Sequence, residues 1–207
     1  MKTWMKYERY LMEGEWHVHT SHTDGENCVD DYCRKALALG IPLIAFTEHV
    51  RRTLTYNFQD LLEEVEIARK KYGKLIILTG CEAKVLENGD LDVSIDVAEK
   101  CDVVLMAFHS FPNNKAKYIN ALRRALTDPG VDIWAHPGLQ PLQNNFQLTD
   151  KEITNVLESA SHNDVLIEIN RKYRMPPARW VKIGRERGAI FVRGSDIHSV
   201  KEMRRKA

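Results

Sequence analysis

The stretch EWHVHTSHTDG, residues 15–25, sets His17, His19, His22 and Asp24 close together. Imidazole nitrogens and carboxylate oxygens are ligands for divalent metals. Residues i and i+2 of a strand point the same way, so His17 and His19 can grip one ion, and so can Asp196 and His198. The same residue types recur along the chain: His49 in TEH, Glu82 in GCE, His109 in FHS, His136 in AHPG, and Asp196 with His198 in GSDIH. A donor set of imidazoles and carboxylates without thiolates suits zinc, manganese or iron. A catalytic ion takes about four protein ligands or fewer. Nine donors (His17, His19, Asp24, His49, Glu82, His109, His136, Asp196 and His198) therefore imply two to three ions. His22 lies outside the i, i+2 pattern and stays open between ligand and bystander. Glu48 reads as a supporting or structural carboxylate, and His162 as a capping or surface residue.

Donors so far apart in sequence need a fold that gathers them. Apolar β-rich runs at 15–19, 42–49, 74–85, 101–110, 131–138, 164–170 and 189–199 alternate with helical patterns at 29–40, 58–73, 115–126, 149–162 and 176–188. The helices carry their own punctuation: Gly40 and Gly73 as stops, Thr149 as a cap, Pro at the start of the last and Gly188 at its end. The strands are continuous apolar runs rather than alternating ones, as in a parallel sheet buried on both faces. Seven such units in series specify an α/β chain, either a barrel or a doubly wound sheet. In both, the C-terminal edge of the strands is where sites are built. The metal-type residues fall at or just past that edge on six different strands. A single histidine at a strand end is an ordinary core or rim residue; six coinciding ends are not.

The 207 residues suit one domain, and 43% hydrophobic with 29% charged residues is ordinary globular composition. Thirty Lys and Arg balance 29 Asp and Glu to +1, which argues against a dedicated nucleic-acid or membrane-surface protein. Cys28, Cys33, Cys81 and Cys101 form no C-x-x-C pair and read as reduced thiols. The N-terminus lacks a signal-peptide core and no window is apolar enough to span a membrane, so a cytoplasmic location is expected. Oligomeric state is not legible.

With its motifs in this order, the sequence resembles the polymerase and histidinol phosphatase (PHP) family over nearly its whole length. HVHTSHTDG follows that family's first motif with Thr23 in place of Ser, and TEH, GCE, FHS, AHPG and GSDIH follow the later ones. The resemblance implies a distorted (β/α)7 TIM-like barrel and a trinuclear metal site. It assigns His17, His19, Glu82 and Asp196 to one ion. Glu82 then bridges to a second held by His109 and His136, and Asp24, His49 and His198 hold a third. His17, His19, Glu82, Asp196 and His198 become the catalytic set. The implied activity is a metal-dependent phosphoesterase that turns metal-activated hydroxide on a small phosphomonoester, such as a histidinol-phosphate-like compound, a sugar phosphate or a nucleotide. The alternatives are an exonuclease acting on nucleic-acid ends and a non-catalytic, metal-stabilised module attached to a polymerase. Amidohydrolases share HxH on the first strand, but their barrels have eight strands and are longer. Arg51 and Arg52 after the second strand, Arg171, Lys172 and Arg174 after the sixth, and Arg193 before GSD are the rim cations placed for substrate, and the guanidinium groups, Arg171 first, are the expected phosphate contacts. Only nine residues follow His198, fewer than the closing helix of the family, and KEMRRKA reads as a frayed basic tail.

Overall fold

A computed structural model of the chain describes residues 1–204. Seven strands, β1 (Glu15–Val18), β2 (Leu43–Val50), β3 (Ile76–Lys84), β4 (Val103–Ala107), β5 (Ile133–Trp134), β6 (Leu166–Asn170) and β7 (Phe191–Gly194), form one parallel sheet in chain order. The two edges meet just past β7. His19 N donates to the Ile197 carbonyl at 2.8 Å, and Ile197 N donates to the His17 carbonyl at 3.1 Å. The sheet is thus a nearly closed, (β/α)7 TIM-like barrel, as the motifs implied. Helices α1 (Val29–Leu39), α2 (Phe58–Lys71), α3 (Ile95–Ala98), α4 (Lys115–Ala125), α5 (Leu139–Gln143), α6 (Asp150–His162) and α7 (Ala178–Glu186) fill the crossovers. No helix among the described residues is long and apolar enough to cross a membrane.

Two apolar layers explain why the strands read as unbroken hydrophobic runs. Trp16, Leu43, Ala45, Leu78, Leu105, Ile133, Leu166 and Val192 fill the barrel, which Trp4 and Leu11 plug from below. Ile44, Phe46, Cys81, Met106, Trp134 and Ile167 face outward and pack under the helices. The inward face changes character toward the C-terminal ends. On β2 it runs from Leu43 and Ala45 to Thr47 and His49; on β3 it ends at Glu82; on β6 at Glu168 and Asn170. Apolar filling below and buried polar groups above place the site at the upper mouth.

Local signals set most helix ends. Gly40 closes α1 in the left-handed region at φ 67°. Thr149 and Glu152 form a reciprocal capping box at the start of α6. Thr149→Ala removes the acceptor for the Glu152 N–H, and a loss of about 1 kcal/mol in chemical denaturation is expected, with metal binding unchanged.

The structure departs from the sequence-based expectation in four places. The 3-10 segment Thr3–Tyr10 and the short helices α3 and α5 were not expected. The fifth and seventh strands are much shorter than 131–138 and 189–199. His136 at φ 32° and Asp196 at φ 49° leave extended geometry for the left-handed region. Asp196 and His198 therefore do not share a side by strand alternation; a turn delivers them. The end of the chain is not frayed as far as Met203, which is 1% exposed and packs in the outer core. The remainder of the expected basic tail, 205–207, lies outside the described residues.

Candidate metal centre

Every donor named from the sequence comes to the same mouth. A register shift in β1 between Glu15 and Val18 lets neighbouring residues both turn inward. Trp16 fills the barrel core while His17 reaches the cluster. His17 Nε2 lies 3.0 Å from His19 Nε2, 3.4 Å from Glu82 and 3.5 Å from Asp196. His19 Nε2 is 3.2 Å from Asp196 and 3.7 Å from Glu82. The His136 and His109 Nε2 atoms approach the two oxygens of Glu82 at 2.8 and 3.0 Å. Asp24 stands 3.3 Å from His49 and 3.2 Å from His198. His49, directly opposite Glu82 in the β2–β3 register, also reaches Glu82 through Nδ1 at 2.9 Å.

Three overlapping groups of donor atoms fall within 4.8 Å of one another: His19, Asp24, His49 and His198; His17, His19 and Glu82; and His49, Glu82 and His109. The resemblance assigned the second ion to Glu82, His109 and His136; here His49 takes the place of His136 in the mutual group, although His136 also contacts Glu82.

The cluster's electrostatics fit divalent cations. Burial alone would raise the Glu82 pKa, yet the His109 and His17 imidazoles outweigh it and hold the carboxyl well below its usual range. Asp196 follows the same logic: burial opposes ionisation, and the His19 hydrogen bond and His17 charge overcome it. Burial pushes His19 down to about 4, so at neutral pH it is uncharged and one ring nitrogen offers a free lone pair. The Nδ1 atoms of His19 and His109 are buried without a hydrogen-bond partner. The His17 and His19 Nε2 atoms, 3.0 Å apart, both face the carboxylates of Glu82 and Asp196. A cation with several lone-pair acceptors satisfies them where a proton cannot. His136 and Asp196 hold left-handed backbone conformations at this cluster, a local strain of about 1–3 kcal/mol each of the kind found at functional sites.

The PHP domain model matches residues 15–172. The chain belongs to the PHP domain family. The match ends before Asp196 and His198, which the barrel's closure returns to the cluster. A probable phosphatase of Acetivibrio thermocellus is 29% identical over 198 residues, covering 88% of this chain and 78% of that protein. The DNA polymerase/3'-5' exonuclease PolX of Bacillus subtilis is 24% identical over 200 residues, which cover 91% of this chain but only 35% of PolX. Among solved structures, histidinol phosphate phosphatase from Lactococcus lactis, complexed with zinc, L-histidinol and phosphate, aligns with a TM-score of 0.68 at 14% identity over 92% of this chain and 88% of that one.

In this PHP barrel the donors are held from behind. Glu168 was not singled out from the sequence, yet it lies 1% exposed on the inward face of β6. Its Oε1 accepts from His17 Nδ1 at 2.8 Å, and its Oε2 accepts from Asn170 Nδ2 at 3.1 Å and from the His136 backbone N–H. A carboxylate on Nδ1 fixes the imidazole tautomer and presents Nε2 to the cluster. The available signal was a lone Glu in the apolar run LIEIN with Asn two residues on. Glu48 does hold structure: it accepts from Thr20 N at 2.7 Å and from the Thr23 hydroxyl, fixing the loop that carries Asp24.

The expected arginines are not at the metal cavity. That cavity, about 210 Å³, is lined by Asp24, His49, His109, His136, Asp196 and His198 together with Lys172 and Tyr173. Lys172 Nζ donates to the Asp196 carbonyl at 3.0 Å and carboxylate at 3.2 Å. Arg51 turns back to the Val50 carbonyl at 2.6 Å and faces Asp92, whose carboxylate also accepts from Arg52 N at 3.1 Å. Arg171 and Arg174 are exposed outside the cavity. Arg193 requires correction as a cavity contact. Val192 and Gly194 face inward, so Arg193 points to the outer face of β7, where it pairs with buried Glu15 at 3.4 Å. His22 turns away from the cavity, 6.2 Å from the Tyr56 ring and 3.6 Å from Glu64. His162 is exposed at the end of α6.

Proposed function

We propose that this PHP barrel is a metal-dependent phosphatase that hydrolyses a small phosphomonoester at a centre of three divalent ions. The observation that carries the reading is the convergence of eight imidazole and carboxylate donors on one mouth with a ninth, the buried carboxylate of Glu82, at its centre. His17, His19, Glu82 and Asp196 would hold one ion, Glu82, His109 and His136 a second, and Asp24, His49 and His198 a third, with His49 able to support the second through its other nitrogen. Zinc, manganese and iron all suit this donor set. Bound ions would supply an activated water at neutral pH and neutralise charge on the phosphoryl oxygens.

The chain's own residues supply the rest. Glu168 holds the His17 tautomer. Glu48 holds the Asp24 loop. Lys172 places a cation on the cavity wall, where a dianionic phosphate meets it, and Tyr173 stands beside it at His136. A cavity of about 210 Å³ suits a phosphoryl group with a small leaving group rather than a duplex. Relatives named as probable phosphatases support the monoester reading, and PolX keeps attack on nucleic-acid ends as the competing one.

The test is to purify the protein, reconstitute it with zinc or manganese, and count ions per chain by mass spectrometry. Turnover of a phosphomonoester is then compared with that of a phosphodiester and of a single-stranded oligonucleotide. Two to three ions and a monoester preference of at least about tenfold are expected. Fewer than two tightly held ions defeats the trinuclear centre, and a diester preference favours the exonuclease. Stripping the ions with a chelator should also lower the unfolding temperature, because ligands that bind only the folded state stabilise it, by about 4 kcal/mol at a thousandfold excess over the dissociation constant.

A further inference from the structure

A second cavity of about 330 Å³ lies beside the metal cavity, lined by Arg171, Lys172, Arg193, Ser195, Glu202 and Arg204. Lys172 is common to both cavities, so a single side chain forms their shared wall. The second cavity gathers four cations from three separate parts of the chain. Its only carboxylate on the wall is already engaged: Glu202 Oε2 accepts from His198 N at 2.7 Å and Ser199 N at 3.3 Å. Arg193, only 5% exposed, is anchored rather than free to swing. Its Nη2 donates to the Arg204 carbonyl at 3.0 Å and lies 3.4 Å from Glu15, while Nε and Nη1 find no acceptor among the described residues. Ser195 donates to Glu15 at 3.1 Å and so helps hold the carboxylate that anchors Arg193. Among the described residues these four cations face three carboxylates: Asp196 at Lys172, Glu15 at Arg193, and Glu202 on the wall, so Arg171 and Arg204 have no carboxylate partner there.

We propose that this cavity is an anion subsite that takes a second phosphate or carboxylate of the substrate, selecting small compounds with two anionic groups. The proposal rests on the phosphomonoester reading for the group at the metals, and Lys172 would face both anions. The Arg171 guanidinium suits bidentate capture of such a group at the open side, and Arg204, whose Nη1 donates to the Lys201 and Met203 carbonyls, adds its remaining donors and charge. The subsite also gives a place to the rim arginine at 171 that the metal cavity leaves outside.

The test uses the metal-loaded protein and non-hydrolysable probes, so that it does not depend on turnover. Binding of propane-1,3-bisphosphonate and of propylphosphonate is measured by calorimetry in the wild type, in Arg204→Glu and in Arg171→Glu. The wild type should bind the bisphosphonate at least about tenfold more tightly, which is about 1.4 kcal/mol. Each charge reversal should cut that ratio toward one. Arg204→Glu should leave propylphosphonate affinity within about twofold, since Arg204 lines only the second cavity. A wild-type ratio near one, or a ratio untouched by both reversals, overturns the subsite. Failure of the phosphatase reading shows itself separately, as absent monoester turnover with the bisphosphonate preference and its response to Arg204→Glu intact.

Discussion

Glu82→Ala is expected to abolish the ordered metal centre and to cost phosphatase turnover on the order of a thousandfold. Five imidazoles stand within 3.7 Å of this one carboxylate: His17, His19, His49, His109 and His136. It belongs to two of the three donor groups, so its loss strips more than one ion. Ions at a phosphoryl-transfer site contribute several kcal/mol of transition-state stabilisation, and about 4 kcal/mol corresponds to a factor of about a thousand. The buried carboxylate is also a counter-charge that favours the protonated forms of His17, His49 and His136, so removing it should weaken that preference in the ion-free protein. Glu82→Gln separates the two effects: it retains volume and one acceptor oxygen but not the charge. Both variants should fall from two to three ions per chain to one or none, with circular dichroism confirming that the barrel persists. Unchanged metal content in a folded Glu82→Ala protein would show that Glu82 does not bridge.

The sequence exposes this centre readily because ligand chemistry tolerates few residue types, and a parallel barrel puts the ends of all its strands at one mouth. His49 and Glu82 follow from strand alternation alone, since they sit opposite each other on inward positions. Asp196 and His198 do not: they are identified by type, but the reason offered for their convergence, alternation along an extended strand, fails where Asp196 adopts φ 49°. Backbone strain of this kind carries no compositional mark in a non-glycine residue. The inward turn of both Trp16 and His17 depends on a register shift, which no periodicity announces. The arginines stand off the metal cavity for a related reason. A rim position is legible from the sequence, but the direction of a side chain is not, and Arg193 faces outward because its neighbours Val192 and Gly194 face in. Lys172 and Tyr173, in the same loop as Arg171, reach the metal cavity instead. Glu168 escapes notice because its role is to hold a ligand rather than to be one.

That supporting role leads to the second large expected effect, and it can be tested from two sides. Glu168→Gln puts an amide N–H₂ where a carboxylate now accepts from three donors: His17 Nδ1, Asn170 Nδ2 and the His136 backbone. At least one buried donor then loses its acceptor, at about 1–3 kcal/mol. The His17 tautomer is also released, so that Nε2 carries the proton in part of the population and cannot ligate. Carboxylates in this position typically control metal affinity by about 10–100-fold, and a loss of that size is expected in the dissociation constant of the tightest ion, measured by competition with a chelating dye. Gly194→Ala should do the same without replacing any polar side chain. Gly194 pairs with Asn170 across β6 and β7, and a Cβ there would overlap the Glu168 carboxyl group and come within 2.8 Å of its Cδ and 2.9 Å of its Cγ. The carboxylate must then move off His17. If displacement of Glu168 is the cause, shortening that side chain should relieve it: Gly194→Ala combined with Glu168→Asp should bind metal better than Gly194→Ala alone, a non-additivity expected only of groups in contact. A double variant no better than the worse single one would mean that Gly194 serves the backbone of β7 rather than the carboxylate behind His17.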